Sequence, residues 1–305
     1  MPYNNPVVTL GNFDGVHRGH QKIFRKVVEK AQEIGGTPIA ITFNPHPVRV
    51  LAPERGMKMI TTVEDKRLLI ERMGLQVLIC IPFDREFAHT EPDDFIRDTL
   101  VERLGTKWVI VGHSYSFGKG KKGTTTLLRA RGRKYGFGVN VVRYAEFNAE
   151  KVSSSRIRTI IHRGRVCEAA QMLDRAYHID GTVVKGAGRG ETLLHTPTAN
   201  IRTRHELVPK EGVYAVRVSM HGSTVYDGVA NIGTNPTFGG GAMSYEAHLF
   251  DFHGDLAGKQ LRMHFIERIR DEKKFSGSDE LLEQIKKDIH KAKEILGNTT
   301  VPLFM

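Results

Sequence analysis

The stretch that decides the fold of the first half of the chain is Leu10-Gly11-Asn12-Phe13-Asp14-Gly15-Val16-His17-Arg18-Gly19-His20. It follows a short apolar run at residues 7–10 and precedes an apolar stripe of helical spacing at residues 23–34. Glycines in such a turn let the backbone approach a ligand closely, and the start of the helix offers N–H groups and partial positive charge to a phosphate. Imidazoles of His17 and His20 that donate to phosphate oxygens would stabilise charge developing at an α-phosphate. We therefore predict a nucleotide-phosphate site. A zinc site is not favoured because no third ligand occurs at characteristic spacing.

Outward from this turn, short apolar strands alternate with amphipathic helices. The predicted strands are nearly continuous apolar runs, as expected of a parallel sheet covered on both faces; they span residues 7–10, 38–43, 77–83, 108–112 and 139–143. Thr61 with Glu64 predicts a capping box, and Thr90 with Asp93 a looser version, at the starts of two helices. The alternation predicts a doubly wound α/β sheet, whose ligands bind at the carboxyl ends of the strands.

The second half has a different pattern after a helical stretch at residues 166–176. Strand-like runs separated by glycines follow, and His221-Gly222 indicates a hairpin; the runs span residues 181–185, 213–220, 224–232, 245–250 and 261–269. This spacing predicts a small antiparallel β-barrel, followed by an amphipathic helix at about residues 278–296. We place the boundary near His178, which gives domains 1–178 and 179–305.

Size and composition are those of a globular protein. The 305 residues are about twice the usual length of one domain, and 40% of them are hydrophobic. No stretch approaches 18 consecutive apolar residues, and the two cysteines, Cys80 and Cys167, suit neither a disulfide framework nor a zinc cluster. These features predict a cytoplasmic protein without a membrane partner. The net charge of +11 implies anionic partners, for which both nucleic acid and polyphosphate nucleotides are candidates.

The decisive stretch resembles the HxGH signature of nucleotidyltransferases, in the GxFDGVHxGH form of bacterial bifunctional riboflavin kinase/FAD synthetases. The resemblance extends over nearly the whole chain. Asn44-Pro45-His46-Pro47 is similar to the family's segment after the second strand, and Val111-Gly112 through Phe117-Gly118 to its loop after the fourth. Val152-Ser153-Ser154-Ser155-Arg156-Ile157-Arg158 resembles its ISSTxIR motif. Without the resemblance, that last motif also predicts an anion-binding site, in which serines cap a helix that has two arginines in its first turns.

The resemblance implies that the first domain is a Rossmann-like nucleotidyltransferase that converts ATP and FMN to FAD and pyrophosphate. His17 and His20 would act at the α-phosphate transition state. Other contacts to ATP would come from Gly11, Phe13, Asp14, Ser154, Ser155 and Arg158, the last three at the departing phosphates. Asn44-Pro45-His46-Pro47 would help to shape the flavin pocket. Many members have an aspartate and a phenylalanine after Gly112, whereas this chain has Ser114-Tyr115 and lacks that acidic contact.

A second motif, Pro197-Thr198-Ala199-Asn200, resembles the PTAN signature of riboflavin kinases. By this resemblance Thr198 and Asn200 hold Mg²⁺ against ATP, which suits the preference of Mg²⁺ for oxygen ligands. Glu246 in Tyr245-Glu246-Ala247-His248 would be the general base for the riboflavin 5′-hydroxyl. Further similar or phosphate-binding segments are the glycine loop Gly186, Gly188 and Gly190, residues 228–237 and residues 270–275. The family usually has Gly-Phe where this chain has His195-Thr196, and the missing glycine would stiffen the loop.

The implied protein is therefore a transferase that uses ATP, Mg²⁺, riboflavin and FMN and makes FAD. Its partners would be small molecules, without nucleic acid. Two alternatives remain: only one of the two activities is live, or the chain is a basic nucleic-acid-binding protein on a nucleotidyltransferase fold. Aromatic residues make up only 8% and do not interleave with a basic stripe, which disfavours the latter. The sequence does not specify an oligomeric state.

Overall fold

The computed structural model describes residues 3–184, 198–220, 224–234 and 243–304. The chain divides into two compact units, Met1–Ser154 and Ser155–Met305. The predicted division after residue 178 falls inside a strand of the second unit and stays a prediction. No helix within the described ranges is both long and apolar enough to span a lipid bilayer.

The first unit is built on a five-stranded parallel sheet. Its strands are β1 Val7–Leu10, β2 Pro38–Asn44, β3 Val77–Pro82, β4 Trp108–Gly112, β5 Ser116–Phe117, β6 Gly123–Thr124, β7 Gly138–Val142, β8 Glu146–Phe147 and β9 Glu150–Lys151. The large sheet has the order β3-β2-β1-β4-β7, while β5 pairs with β6 and β8 with β9 in small antiparallel pairs. All four pairings in the large sheet are parallel, which confirms the predicted α/β class.

Helices cover the sheet of this unit. They are α1 Arg18–Glu33, α2 Pro47–Leu51, α3 Val63–Arg72, α4 Pro92–Asp94 and α5 Thr125–Tyr135; α4 continues into a π-helix, Phe95–Arg103. Short 3₁₀ turns occur at Pro53–Arg55, Phe87–His89 and Lys119–Lys121. The core consists of strand side chains such as Val8, Ile41 and Val111 packed against Ile96 and Leu128.

Two predicted helix starts differ in detail. The cap of α3 is Thr62, not Thr61: its Oγ1 accepts from the Asp65 amide at 3.0 Å, and the Asp65 carboxylate accepts from the Thr62 hydroxyl at 2.8 Å. The Thr61 hydroxyl is engaged elsewhere, because it bonds Asp14. The predicted box at Thr90 is absent: α4 begins after Glu91, without a side-chain cap.

The second unit is a closed antiparallel barrel with helices. In chain order it contains α6 Ser154–His162 (whose first residue ends the first unit), α7 Val166–Leu173, β10 Tyr177–Val184, β11 Thr198–Thr203, β12 Gly212–Met220, β13 Val225–Thr234, β14 Met243–Leu249, β15 Gln260–Arg270 and α8 Ser278–Gly297. The barrel order is β10-β11-β14-β13-β12-β15. The predicted barrel and final helix are confirmed, whereas β11 was not predicted as a strand.

The register of three barrel strands separates an apolar from a polar face. Ala199 of β11 lies opposite Ala247 of β14, which lies opposite Ala230 of β13, and all three are fully buried. Since successive side chains of a strand point to opposite faces, the next row of residues is directed away from this core. A separate core lies between the barrel and α8, where Ala215 and Ile266 pack with Ala292 and Ile295.

Candidate functional site

Three loops of the first unit open at the same edge of its sheet. β1 lies between β2 and β4, and the strand order reverses direction at β1 and β4. In open α/β sheets ligands bind at the carboxyl ends of the strands at such a switch point. The loops that leave β1, β2 and β4 there are residues 11–17, 45–46 and 113–115, which contain most of the predicted first site.

The turn after β1 is held by hydrogen bonds to its backbone. The Thr42 hydroxyl donates to the Asn12 carbonyl at 3.2 Å, and the Gln21 amide donates to the Val16 carbonyl at 3.0 Å. Phe13 and Val16 have φ values of 48° and 41°, a conformation that non-glycine residues adopt rarely. A defined and slightly strained backbone therefore places the histidines that follow.

The two imidazoles are stacked at the start of α1. Their ring centroids lie 3.6 Å apart with an angle of 18° between the planes. His17 caps α1: its Nδ1 accepts from the His20 amide at 3.4 Å, so in neutral His17 the ring proton is on Nε2. The ring of Phe13 meets the His20 ring edge-on, with centroids 5.3 Å apart. The pair is thus fixed in position at the start of α1.

The electrostatics of this pair favour a neutral His20. Burial lowers the pKa of His20 well below its usual 6.5, and the nearby His17 and Lys66 lower it further. Within the described part of the chain, the buried Nδ1 of His20 has no hydrogen-bond partner. Neutral imidazoles donate through one nitrogen each, which is sufficient to bind a phosphate oxygen.

Lys66 is a residue that the sequence prediction missed. It is on α3, is only 6% exposed, and burial lowers the pKa of its ammonium while Asp14 opposes that shift. The sequence feature that could have indicated its burial is its position in the apolar stripe of α3, three residues before Leu69 and four before Ile70, both buried. A lysine in such a stripe would ordinarily extend to solvent, so the pattern alone did not identify it.

Two predicted ATP-binding residues are directed into the protein. The carboxylate of Asp14, 1% exposed, accepts from the amides of Ile60 at 3.1 Å and Thr61 at 3.3 Å. Phe13 is also 1% exposed and packs on Phe24. Any contact of these residues with a nucleotide would therefore be made by their backbone. A Cβ at Gly11 would lie 2.8 Å from the Phe13 ring, so this position requires a glycine.

The predicted flavin segment is at the carboxyl end of β2. Asn44 and Pro45 are exposed and joined by a cis peptide bond. His46 is buried and caps α2, its Nδ1 accepting from the Val48 amide at 3.2 Å. The role of this segment in flavin binding stays a prediction.

The loop after β4 differs from the family pattern in a definite way. Ser114 accepts a hydrogen bond from the Lys151 ammonium at 2.8 Å, in a position where many relatives have a carboxylate. Tyr115 is stacked on Phe117, with centroids 5.5 Å apart, and burial raises the pKa of its hydroxyl. This loop therefore offers a lysine near its serine rather than an acidic group.

The serine motif begins beside the turn after β1. The Ser154 hydroxyl donates to the Asp14 carbonyl at 2.9 Å, which connects this serine to the histidine-bearing turn. Ser155 and Arg158 belong to the second unit, where Ser155 is exposed and Arg158 is half-buried on α6. Their assignment to the departing phosphates stays a prediction.

The second predicted site is a polar row across the barrel. Asn200 of β11 lies opposite Glu246 of β14, and Glu246 lies opposite Asn231 of β13. Thr198, two residues before Asn200 and therefore on the same face, lies opposite His248. Opposed residues have Cβ atoms about 4.5–5.5 Å apart. The register thus gathers hydroxyl, amide and carboxylate oxygens on one face.

Two further features adjoin this row. A cavity of about 230 Å³ is lined by residues 248–253 together with Ile289 and Lys293 of α8. Burial and the charge of Lys293 lower the pKa of His248 at its edge. The Glu272 carboxylate lies so close to Gly233 that a Cβ there would be 2.1 Å from it. The predicted loop residues Gly186, Gly188 and Gly190, and His195-Thr196, lie outside the described residues.

Comparisons with known proteins agree on both halves. The family model for FAD synthetase matches residues 2–156, and that for riboflavin kinase matches residues 173–296. The bifunctional riboflavin kinase/FMN adenylyltransferase of Escherichia coli K12 is 34% identical over 98% of this chain and 95% of its own length. Its namesake from Bacillus subtilis 168 is 38% identical over 96% and 93%. A crystal structure named macrolide-efflux protein, from Streptococcus pneumoniae, has a TM-score of 0.88 at 32% identity, covering 98% of this chain and 96% of its own.

These matches follow the order of the two units and extend over nearly the whole of the relatives. The FAD synthetase match covers nearly all of the parallel-sheet unit, and the barrel lies within the riboflavin kinase match. The chain belongs to the family of bifunctional riboflavin kinase/FMN adenylyltransferases.

Proposed function

We propose that this chain carries out both reactions named for its family. In one, ATP phosphorylates riboflavin to FMN and ADP is released; in the other, ATP adenylylates FMN to FAD and pyrophosphate is released. The observation that carries the proposal is the presence of two separate sites in one chain. One is the stacked pair His17 and His20 at the switch point of a parallel sheet, and the other is the row Asn200, Glu246 and Asn231 on the barrel.

In the adenylyltransferase reaction, a phosphate oxygen of FMN attacks the α-phosphorus of ATP, and the bond to pyrophosphate breaks. The chain provides position and charge stabilisation, and no covalent intermediate is required. His17 donates from Nε2–H to an α-phosphate oxygen, and the stacked His20 supplies the second imidazole. We assign Ser154, Ser155 and Arg158 to the oxygens of the departing pyrophosphate.

In the kinase reaction, Glu246 accepts the proton of the riboflavin 5′-hydroxyl as the γ-phosphoryl group is transferred to that oxygen. Thr198 and Asn200 fit a magnesium ion, because both are neutral oxygen donors on the face that bears Glu246. When bound, Mg²⁺ neutralises negative charge on the nucleotide phosphates. Asn231, opposite Glu246, is placed to orient the carboxylate.

We further propose that the protein works in the cytoplasm on small molecules and without a nucleic-acid partner. Both cysteines are free and exposed, which suits a reducing compartment. The formal charge of +11 agrees with substrates that are all phosphorylated or become so.

Product analysis by chromatography tests the proposal. Incubation with riboflavin, ATP and Mg²⁺ should yield FMN and then FAD, and FMN with ATP should yield FAD and pyrophosphate. His20→Ala should lower FAD formation by about 10²–10³-fold, as expected for the loss of one donor to a developing charge, and leave riboflavin phosphorylation intact. Glu246→Ala should lower riboflavin phosphorylation by about 10²–10⁴-fold and leave FAD formation from supplied FMN intact.

Matched controls use exposed residues of the same type. His162→Ala on α6 and Glu267→Ala on β15 should change neither activity. Loss of both activities in a folded His20→Ala or Glu246→Ala protein would contradict two separate sites. Wild-type protein that forms FMN but no FAD would establish the single-activity alternative, and generic RNA bound more tightly than ATP, with steep salt dependence, would favour the nucleic-acid alternative.

A further inference from the structure

The side chain of Lys66 is largely buried, and its ammonium has no counter-ion in contact among the residues that the structure describes. It is 6% exposed on α3, and the residues that the structure describes offer its Nζ neither a hydrogen bond nor an ion pair. Removing a charged group from water is costly unless the charge is paired or hydrogen-bonded. Most lysines that are nine-tenths buried have such a partner, so the ammonium of Lys66 calls for an anion that the chain itself does not supply.

The carboxylate with the largest effect on Lys66 is already engaged. Asp14 interacts attractively with Lys66, but its oxygens accept hydrogen bonds from the amides of Ile60 and Thr61 and from the Thr61 hydroxyl. Asp14 therefore provides a general negative field rather than a partner in contact. Lys26 on α1 differs in both respects, because its ammonium contacts the Glu29 carboxylate at 2.6 Å and its side chain is exposed to water.

The position of Lys66 is tied to the turn that bears the imidazoles. The Gly15 amide donates to the Thr61 hydroxyl at 3.2 Å, and the Asp14 carboxylate holds the amides just before α3. The Lys66 amide in turn donates to the Thr62 carbonyl at 3.1 Å, so Lys66 lies one turn beyond this anchor. The first turn of α3 and the turn after β1 thus form one hydrogen-bonded assembly.

Electrostatics agree with this placement. The charge of Lys66 is one of the causes that lower the pKa of His20, after burial and His17. This interaction agrees with the hydrogen-bonded link between the start of α3 and the turn after β1. A neutral His20 near an ammonium without a counter-ion is an arrangement that an anion would complete.

We propose that Lys66 binds a phosphate oxygen of a substrate in the adenylyltransferase site, beside His17 and His20. The inference rests on the proposed function of the first unit and adds a binding residue to it. The ligand chemistry is a phosphate oxyanion, supplied either by ATP or by FMN. Binding would give the ammonium the partner that it lacks, and it would bring a full positive charge to a site in which His20 is neutral.

The competing explanation is that Lys66 has only a structural role beneath α3. The two explanations predict opposite behaviour for Lys66→Met, which keeps the length of the side chain and removes the charge. A structural lysine should cost stability when replaced. A ligand-binding lysine should not, because loss of an unpaired buried charge relieves a desolvation cost in the free protein.

The experiment compares full-length wild type, Lys66→Met, Lys66→Arg and the surface control Lys26→Met. We expect Lys66→Met to lower kcat/KM for FAD formation by about 10²-fold, to leave riboflavin phosphorylation unchanged, and to melt at the wild-type temperature or above. Lys66→Arg should recover part of the activity, and Lys26→Met should behave as wild type. Calorimetric titration of the Met variant with ATP and with FMN separately identifies the source of the phosphate, since only one Kd should rise.

Two results would overturn the proposal. One is wild-type FAD formation and wild-type Kd values in Lys66→Met, and the other is a Met variant that unfolds or melts at a lower temperature, which would assign Lys66 a structural role. Failure of this inference is distinct from failure of the proposed function. In the former case wild-type protein still makes FAD, whereas in the latter it does not.

Discussion

Asp14 holds the histidine-bearing turn against the start of α3, and Asp14→Ala measures how much that connection contributes. The carboxylate is 1% exposed and accepts from two backbone amides, those of Ile60 and Thr61, and from the Thr61 hydroxyl. The two amide partners lie 46 and 47 residues further along the chain, in the loop that precedes α3. Replacement by alanine leaves these donors in place without their acceptor.

The size of the effect follows from the number of donors. A buried donor left unsatisfied costs about 1–3 kcal/mol. Two amides at about 1.5 kcal/mol each give about 3 kcal/mol, with the hydroxyl free to rotate to a new partner. For a unit of this size, about 3 kcal/mol corresponds to a fall of about 6–12 °C in melting temperature.

The assay combines calorimetry with hydrogen exchange on the full chain. The unfolding transition of the first unit should move down by that amount, and the Ile60 and Thr61 amides should lose protection from exchange. Asp98→Ala is a matched control, because Asp98 is an exposed carboxylate paired with Arg97 at 2.6 Å, and its loss should cost less than about 1 kcal/mol. FAD formation should also fall in Asp14→Ala, while riboflavin phosphorylation should not.

An Asp14→Ala protein that melts as wild type does, with both amides still protected, would refute this reasoning. It would mean that the turn after β1 and the start of α3 are held together by packing alone. A lowered melting temperature with both amides protected would place the loss elsewhere in the unit, and the proposed anchor would again be wrong.

Two other predictions concern single positions. Gly19→Ala should lower FAD formation about tenfold, because a Cβ there would lie 3.1 Å from the His17 ring. It should not lower stability, because alanine favours the helix by about 1 kcal/mol. The control, measured in the same activity and melting assays, is Gly297→Ala, where a Cβ would meet no neighbouring atom within 4 Å. His264, buried on β15, has its pKa lowered to about 2 by burial, then by His178, Arg262 and Arg217. The stability that neutral His264 contributes is therefore complete above pH 6.5 and is lost as the pH falls toward about 2. When the pH is lowered from 6.5, the urea concentration at the unfolding midpoint of the second unit should decrease more steeply in wild type than in His264→Met.

Local patterns in the sequence were sufficient for most of the fold. The strands of the parallel sheet are buried apolar runs, and the motif at residues 10–20 marks the turn between the first strand and α1. β11 was missed because its inward residues, Ala199 and Ile201, are too few to show a period of two. Its existence depends on pairing with β10 and β14, and such register is set by contacts distant in sequence.

The site was predictable only where its chemistry is local. The stacked histidines lie three residues apart at a helix start, so spacing alone brings them together. The partners of Asp14 and the burial of Lys66 depend on how α3 packs, and nothing near either residue in the sequence reports it. The same cause explains the capping residue of α3: Thr61 and Thr62 are equivalent by pattern, and the contact of Thr61 with Asp14 decides between them.

The arrangement of charge at the first site also explains why His20 is neutral. Two imidazolium rings stacked at 3.6 Å would repel each other, and burial adds to the cost of protonation, so both effects keep His20 neutral. Such a pair orients phosphate oxygens by hydrogen bonds but cannot balance their negative charge. Other groups have to balance that charge. In this unit the partial positive charge at the start of α1 and, by the inference drawn above, the ammonium of Lys66 would do so. Because the pKa of His20 lies well below 6.5, acidification to just below pH 6.5 should leave His20 neutral. FAD formation should therefore not increase there, as it would if His20 gained a positive charge that favoured anion binding.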